Sequence, residues 1–200
     1  MSTNNQNIFF NFHMVDKTPL FNPDSALEQN SDSKHISDID SDYTDDGNGR
    51  SFEFEPVNKT TVFDVAAYVL NKIGTLTTMK LHKLVYYCQA WSLVWDEQPL
   101  FEERIEAWAN GPVVRDLFSY HKGQYYIGGV DLGNPKVLSD MQKETIDSVL
   151  NFYGDKSAQW LIELTHMEDP WKNARIGLAL TERGDQEISH ESMAEYYSSL

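Results

Sequence analysis

The composition of the chain changes abruptly near residue 60, and this limits how much of its 200 residues can enter a folded core. Between residues 22 and 51, sixteen of thirty positions are Asp, Ser or Asn. Such a segment has too little apolar surface to offset the roughly 1–2 kcal/mol of backbone entropy lost per ordered residue. All five tryptophans and nine of ten tyrosines lie beyond residue 60. We therefore predict a disordered acidic extension over residues 1–60 and one folded domain over residues 61–200.

The charge of the chain argues against several classes of function. Thirty-one acidic and sixteen basic residues give a formal net charge of −15, and no basic run appears, so we expect no direct nucleic-acid binding. No stretch approaches the roughly 18 apolar residues of a membrane span, so we expect no membrane partner. Cys88 is the single cysteine, which excludes an internal disulfide and favours a cytoplasmic protein.

Two aromatic clusters interrupt the acidic extension, at residues 8–12 (IFFNF) and 52–54 (FEF). One interpretation is that they are incidental or docked on the surface of the protein's own domain. The other is that they form a partner-binding segment that orders on contact. The sequence leaves both open.

A calcium-like pattern runs from Asp42 to Glu53, with oxygen-bearing side chains at the spacing of an EF-hand loop. Thr44 replaces the usual Asp or Asn, and Pro56 interrupts the helix that should follow. We interpret the segment as a solvated acidic linker and predict no metal site there.

Capping residues and helical periodicity dominate the chain beyond Thr61. Residues 104–109 alternate as a strand does, and we expect residues 125–127 to pair with them. The sequence therefore predicts a mainly α fold, a compact multi-helix domain with a small antiparallel β adjunct. The predicted helices begin near Thr61, Thr77 or Thr78, Pro112, Ser139, Ser157, Asp169 and Ser189.

No catalytic motif stands out in the sequence. It contains no nucleophile elbow, phosphate-binding glycine loop or closely spaced His or Cys pair for zinc. Cys88 lies at an apolar helical position, which is typical of a buried structural thiol. His166 with Glu168 and Asp169 forms either an acid–base cluster or a hydrogen-bonded helix corner, and we favour the corner. We predict no enzymatic activity, no cofactor and no metal.

Three segments resemble the motifs of the Panacea domain, the SocA-like antitoxin family. They are residues 80–91 (KLHKLVYYCQAW), 106–114 (EAWANGPVV) and 165–175 (THMEDPWKNAR). Their order and spacing match those of the family, and the resemblance covers about residues 62–198.

The resemblance implies a module of bacterial and phage toxin–antitoxin operons that neutralises a co-encoded toxin by direct binding. A proteolytic-adaptor role, in which the toxin is handed to a cytosolic ATP-dependent protease, is associated with the SocA branch. Phage and prophage relatives exist whose toxin partner is not evident. No catalytic residues are established for the family, so none is carried over to this chain.

The motif residues include types that dominate protein interfaces, so one hypothesis is that they contact the partner directly. The alternative is that the tryptophans are core and that Arg175 pairs with Glu168 or Asp169 inside the fold, so that partner specificity lies on variable surfaces, including residues 1–60. A hypothesis of another class is a hydrolase or transferase in which His166, Glu168 and Arg175 converge in a cleft. The candidate partner-binding or signature residues are Trp108, Asn110, Gly111, Pro112, His166, Glu168, Pro170, Trp171 and Arg175.

Overall fold

The computed structural model describes residues 59–200 of the chain. The acidic extension predicted to be disordered, its aromatic clusters and its calcium-like pattern lie outside the described residues, apart from positions 59 and 60. The described part is mainly α, as predicted, with two small antiparallel sheets. Its helices are α1 (Val62–Ile73), α2 (Thr78–Trp95), α3 (Arg115–His121), α4 (Asp140–Tyr153), α5 (Ala158–Met167), α6 (Asp169–Ala174) and α7 (His190–Ser198), with a 3-10 helix at Pro135–Val137. The strands are β1 (Leu76–Thr77), β2 (Ile105–Trp108), β3 (Gly111–Val114) and β4 (Tyr126–Ile127).

Helix α2 is the centre of the domain, which confirms the prediction made from its spacing of apolar residues. Every residue from Leu81 to Ser92 is buried. Helices α1, α4, α5 and α7 and strand β3 all pack against it. A helix covered on every side has no solvated stripe, so its polar side chains must find partners inside the protein. The buried polar residues of this helix are His82, Lys83, Gln89 and Ser92, and the side chains of Tyr86 and Tyr87 are buried as well.

The helix ends follow the predicted capping chemistry. Thr61 and Asp64 form a capping box at the start of α1, and Ser139 and Gln142 form another at the start of α4. Gly74, with φ +89°, ends α1. Each box satisfies backbone N–H groups that the first helical turn leaves without a partner.

The prediction that Pro112 begins a helix is wrong. Gly111–Val114 forms strand β3, which pairs antiparallel with β2 in a hairpin, and α3 begins only at Arg115. Ala109 and Asn110 form a two-residue hairpin turn, and Gly111 adopts φ +95° immediately after it. In this sequence the turn chemistry therefore outweighs the preference of proline for a first helical turn.

The predicted pairing of residues 125–127 with the strand at 104–109 is also wrong. Strand β4 pairs with β1 instead. One edge of β2 is occupied by β3, and the other is covered by residues 186–188, because Ala107 N–H donates to Gln186 O and Ile188 N–H to Ile105 O. The β adjunct is consequently two separate two-stranded sheets.

No helix within residues 59–200 is long and apolar enough to cross a membrane.

Candidate functional site

The β2–β3 hairpin is held against the helices by side chains that donate to its carbonyl oxygens. One donor comes from the first sequence motif, on α2, and two come from the third motif, on or just after α6. The bonds are Lys83 Nζ to Pro112 O at 2.8 Å, Trp171 Nε1 to Trp108 O at 2.9 Å and Arg175 Nη1 to Ala107 O at 2.8 Å. The three motifs therefore meet at the hairpin and fix its backbone.

Gly111 lies where the first and third motifs cross the hairpin. A Cβ atom at this position would lie 2.6 Å from Lys83 Cε and 2.9 Å from Thr165 Oγ1. The backbone φ of +95° also disfavours any residue with a Cβ. Glycine is thus required here by both conformation and space.

Arg175 donates hydrogen bonds to the backbone of the loop that follows α6. Its Nη2 donates to the carbonyl oxygens of Ala179 at 2.8 Å and Glu182 at 2.7 Å, and the guanidinium lies 5.1 Å from the centre of the Trp171 ring. The predicted ion pair with Glu168 or Asp169 is not formed, because Arg175 is buried among backbone carbonyls. Arg175 thus holds the loop in place.

Glu168 is 1% exposed and lies among tyrosines from two other helices. The hydroxyl of Tyr197 on α7 donates to its Oε2 at 2.7 Å, and that of Tyr87 on α2 donates at 3.2 Å. Burial raises the pKa of this carboxyl to about 8, although the two tyrosine bonds act in the opposite direction. Glu168 is therefore largely protonated at neutral pH and joins three helices.

His166 is half-buried and stacked on Trp171, with ring centres 4.0 Å apart. Its Nε2 is buried and has no hydrogen-bond partner among residues 59–200. Burial, followed by the nearby charge of Lys83, lowers the pKa of this imidazole. His166 and Arg175 both lie against the Trp171 ring, and each of His166, Glu168 and Arg175 forms no hydrogen bond to either of the other two.

The remaining predicted residues differ mainly in exposure. Asn110 is exposed at the hairpin turn, and Trp108 is half-buried, while Gly111, Pro112 and Pro170 are buried. Trp108 donates from its Nε1 to Glu106 Oε2 at 2.7 Å. Trp108 and Asn110 are thus the predicted residues that the second motif presents toward solvent.

The sequence did not predict a buried histidine pair beside the hairpin. His82 Nε2 and His121 Nε2 are 2.8 Å apart, and Val114 N–H donates to His82 Nδ1. His82 therefore carries its hydrogen on Nε2 and donates it to His121. Burial lowers the pKa of both imidazoles, and the charge of Lys83 adds to this effect at His82. The two residues are 39 positions apart, so no local spacing could have shown the pair.

A cleft opens beside the histidine pair, between the start of α2, the hairpin, α3 and the loop around residues 181–183. Its volume is about 380 Å³. A second cavity of about 140 Å³ shares Trp108, Phe118 and Arg183 with it. We call these two cavities together the Trp108 cleft. Arg183 and Lys122, which line it, belong to no sequence motif and were not predicted.

The described residues show no candidate metal centre. No group of three or more His, Cys, Asp or Glu residues within 59–200 is placed to hold a metal ion. The Cys88 thiol is buried as predicted, and burial raises its pKa.

These features define a mainly α-helical domain in which the first and third motifs bind the hairpin formed by the second. An aromatic cleft lies beside this hairpin. Residues 81–172 match the family model described as antitoxin SocA-like, Panacea domain. Residues 81–172 are therefore similar to a SocA-like Panacea domain, which confirms the resemblance of the motifs. A domain of this family supports an antitoxin-type role. Searches of curated proteins and of solved structures found no significant match to the chain.

Proposed function

We propose that this protein is an antitoxin-type binding module that neutralises a co-encoded toxin, of bacterial or phage origin, by direct contact. The Panacea domain over residues 81–172 carries the proposal. The motif side chains Lys83, Trp171 and Arg175 bond inside the domain, which is the behaviour expected of a scaffold. Partner recognition then falls to the surface that this scaffold supports.

The proposed role is non-enzymatic. A catalytic site needs its acid, base and charged groups within reach of one reacting atom. His166 stacks on Trp171, Glu168 is enclosed by tyrosine hydroxyls, and Arg175 is bonded to backbone carbonyls. Glu168 and Arg175 are thus already engaged inside the fold, which favours binding over the hydrolase or transferase hypothesis.

The proposed antitoxin acts in the cytoplasm. It has two parts, an acidic extension over residues 1–60 and a folded domain over residues 61–200. Burial of the single thiol, Cys88, agrees with a reducing compartment. Residues 1–60 carry eleven acidic and four basic residues, a net charge of −7 that favours association with a basic toxin surface. The acidic extension would then add partner specificity to the Panacea domain.

The proposal is tested by co-expressing the chain with the product of the adjacent reading frame. We expect the chain to restore growth and to co-purify with the toxin in a complex of defined stoichiometry. A toxic neighbour whose effect is unchanged, together with no complex, would refute the proposal. A toxin that disappears only when both this chain and an ATP-dependent protease are present would indicate the adaptor role instead.

A further inference from the structure

We infer that the Trp108 cleft is the toxin-docking site and that it receives an acidic segment of the toxin carrying an apolar or aromatic anchor side chain. This inference rests on the proposed function, because it assigns a place and a chemistry to the partner. Four independent features of the described residues carry it: the apolar walls of the cleft, its unpaired cations, the exposed apolar residues beside it and the rigidity of its hairpin wall.

The walls of the cleft are suited to an anchor side chain. The Trp108 and Phe118 rings pack edge to face with their centres 4.7 Å apart. Val113 and Met79 add apolar surface to the same cavity. A cavity of about 380 Å³ lies within the range of well-formed ligand pockets and has room for one large side chain with its flanking backbone. Anchors of this kind, seated in central pockets, supply much of the binding energy of an interface.

The charges around the cleft select an acidic partner segment. Arg183 and Lys122 form no ion pair within the described residues, and the Arg183 guanidinium lies 5.7 Å from the centre of the Trp108 ring. Arg115 shares the single carboxylate of Glu106 with Arg104, and no acidic side chain lines either cavity. On a chain of net charge −15, this is a local concentration of uncompensated positive charge. Charge complementarity of this kind draws an acidic segment to the cleft and rejects a basic one there, and the basic surface proposed to meet residues 1–60 is then a different patch of the same toxin.

Exposed apolar side chains adjoin the residues that line the cleft. Tyr125 and Tyr126 are 70% and 63% exposed and directly follow Gln124, a lining residue. Leu180 is 76% exposed and directly precedes Thr181, another lining residue. Large exposed apolar groups beside a cleft are typical of interaction surfaces.

The hairpin wall of the cleft is rigid before a partner arrives. The carbonyl oxygens of Ala107, Trp108 and Pro112 are each fixed by a donor from another motif. A wall that is already ordered loses little conformational entropy on binding. The three motifs thereby contribute to binding indirectly, by holding the cleft open in one shape.

The test compares charge reversals inside and outside the cleft in the full-length chain. Arg183→Glu and Lys122→Glu change exposed cations at the cleft, and Lys136→Glu makes the same change of charge at an exposed residue that lines neither cavity. We expect the double variant Arg183→Glu/Lys122→Glu to weaken toxin binding at least tenfold, measured by titration calorimetry at physiological ionic strength. Lys136→Glu is expected to stay within twofold of the wild type. Matching thermal unfolding curves establish that all variants fold.

A third variant, Met79→Gln, tests the apolar part of the contact without adding a charge, and we expect at least a fivefold loss of affinity. If the wild type binds the toxin and the double variant binds it with the same affinity, the docking site is wrong and the proposed function stands. A loss of binding free energy in the Lys136→Glu control that reaches half the loss of the double variant would also overturn it, since the control makes half the change of charge and the effect would then come from net charge alone. If the cleft is instead a contact between two copies of this chain, the wild type will be a dimer and the double variant a monomer, and both will bind the toxin with the same affinity. That result would overturn the docking site. Failure of the wild type to bind any co-encoded toxin refutes the proposed function itself.

Discussion

The side-chain nitrogen of Lys83 lies 2.8 Å from the carbonyl oxygen of Pro112, and this bond joins the central helix to the hairpin, as does the bond from Val114 N–H to His82 Nδ1. Lys83 is fully buried, and its Cε passes so close to Gly111 that no Cβ fits there. A buried charge-bearing group is costly unless it is well paired. The position of Lys83 therefore makes the stability of the hairpin sensitive to pH and to small changes at Gly111.

Gly111→Ala is expected to destabilise the domain by about 2–4 kcal/mol, because it combines backbone strain with overpacking. The new Cβ would lie 2.6 Å from Lys83 Cε and 2.9 Å from Thr165 Oγ1. Gly123→Ala is the matched control, since Gly123 also has a φ of +90° but no heavy atom lies within 4 Å of the place that its new Cβ would occupy. Its expected cost is the backbone strain alone, about 1 kcal/mol. Urea unfolding measures both, and equal costs would show that the crossing at Gly111 is not tight.

Lys83 is expected to increase the unfolding free energy of the wild type between pH 8 and pH 9.5, and Lys83→Met is expected to abolish this increase. Burial lowers the pKa of Lys83 to about 7, against an ordinary value of 10.5. Between these two values unfolded Lys83 binds a proton that folded Lys83 has lost, so the contribution of this residue to wild-type stability increases with pH. The slope is about 1.4 kcal/mol per pH unit for one group, or about 2 kcal/mol over this window.

The same variant loses the bond to Pro112 O, at a cost of about 1 kcal/mol that does not depend on pH. The exposed Lys136→Met is the control and should retain the wild-type slope. Urea unfolding at both pH values gives the difference for each protein. A Lys83→Met variant with the same slope as the wild type would contradict the prediction.

Glu168→Gln is expected to stabilise the domain at neutral pH, and increasingly so as the pH rises. The pKa of Glu168 is raised to about 8 from an ordinary 4.5, so the folded chain keeps a proton that the unfolded chain has lost. The contribution of a raised pKa is complete below pH 4.5 and is lost as the pH rises to about 8. Glutamine preserves an acceptor for the Tyr87 and Tyr197 hydroxyls and has no proton to lose.

The measured quantity is the difference in unfolding free energy between Glu168→Gln and the wild type at pH 5 and pH 7.5. It should grow by about 3 kcal/mol, at about 1.4 kcal/mol per unit. Glu144→Gln, at an exposed position of α4, is the control and should show no such growth. A constant difference for Glu168→Gln would mean that the carboxyl is ionised in the folded protein.

Local signals in the sequence were sufficient for most helices of the domain. The capping boxes at Thr61 and Ser139 and the apolar spacing along α2 act within a few residues, so they can be identified without the fold. The hairpin was missed because Pro112 followed by Val113 and Val114 also fits the first turn of a helix. Only the pairing of Gly111–Val114 with β2 decides between the two.

The candidate site was less accessible to sequence, because its bonds join distant residues. Tyr197 reaches Glu168 across 29 positions, and Lys83 reaches Pro112 across 29. The motifs identified the residues but could not show that they bond to one another. Arg183 and Lys122 gave no signal at all, since a cation without an ion pair is recognised only when its neighbours are known.

The His82–His121 pair predicts sensitivity to acid that a single substitution should reduce. Burial lowers the pKa of both imidazoles, so the unfolded chain takes up protons near pH 6.5 before the folded chain does. The stability contributed by a lowered pKa is present above about pH 6.5 and is lost as the pH falls toward the folded pKa. Protonating His121 on Nε2 would also place two donors face to face across a contact of 2.8 Å.

His121→Gln keeps an acceptor for the His82 Nε2 hydrogen and removes one of the two titrating groups. Because Glu168 acts in the opposite direction over the same range, the variant is compared with the wild type at each pH. We expect the variant to gain stability relative to the wild type between pH 7 and pH 5, measured by urea unfolding. Nitrogen-15 spectra provide a direct check, since the bond from Val114 N–H requires His82 to be the Nε2–H tautomer. A His82 ring with its hydrogen on Nδ1 would contradict the bond from Val114 N–H and the direction of the bond to His121, and an unchanged pH dependence in His121→Gln would contradict the predicted acid sensitivity.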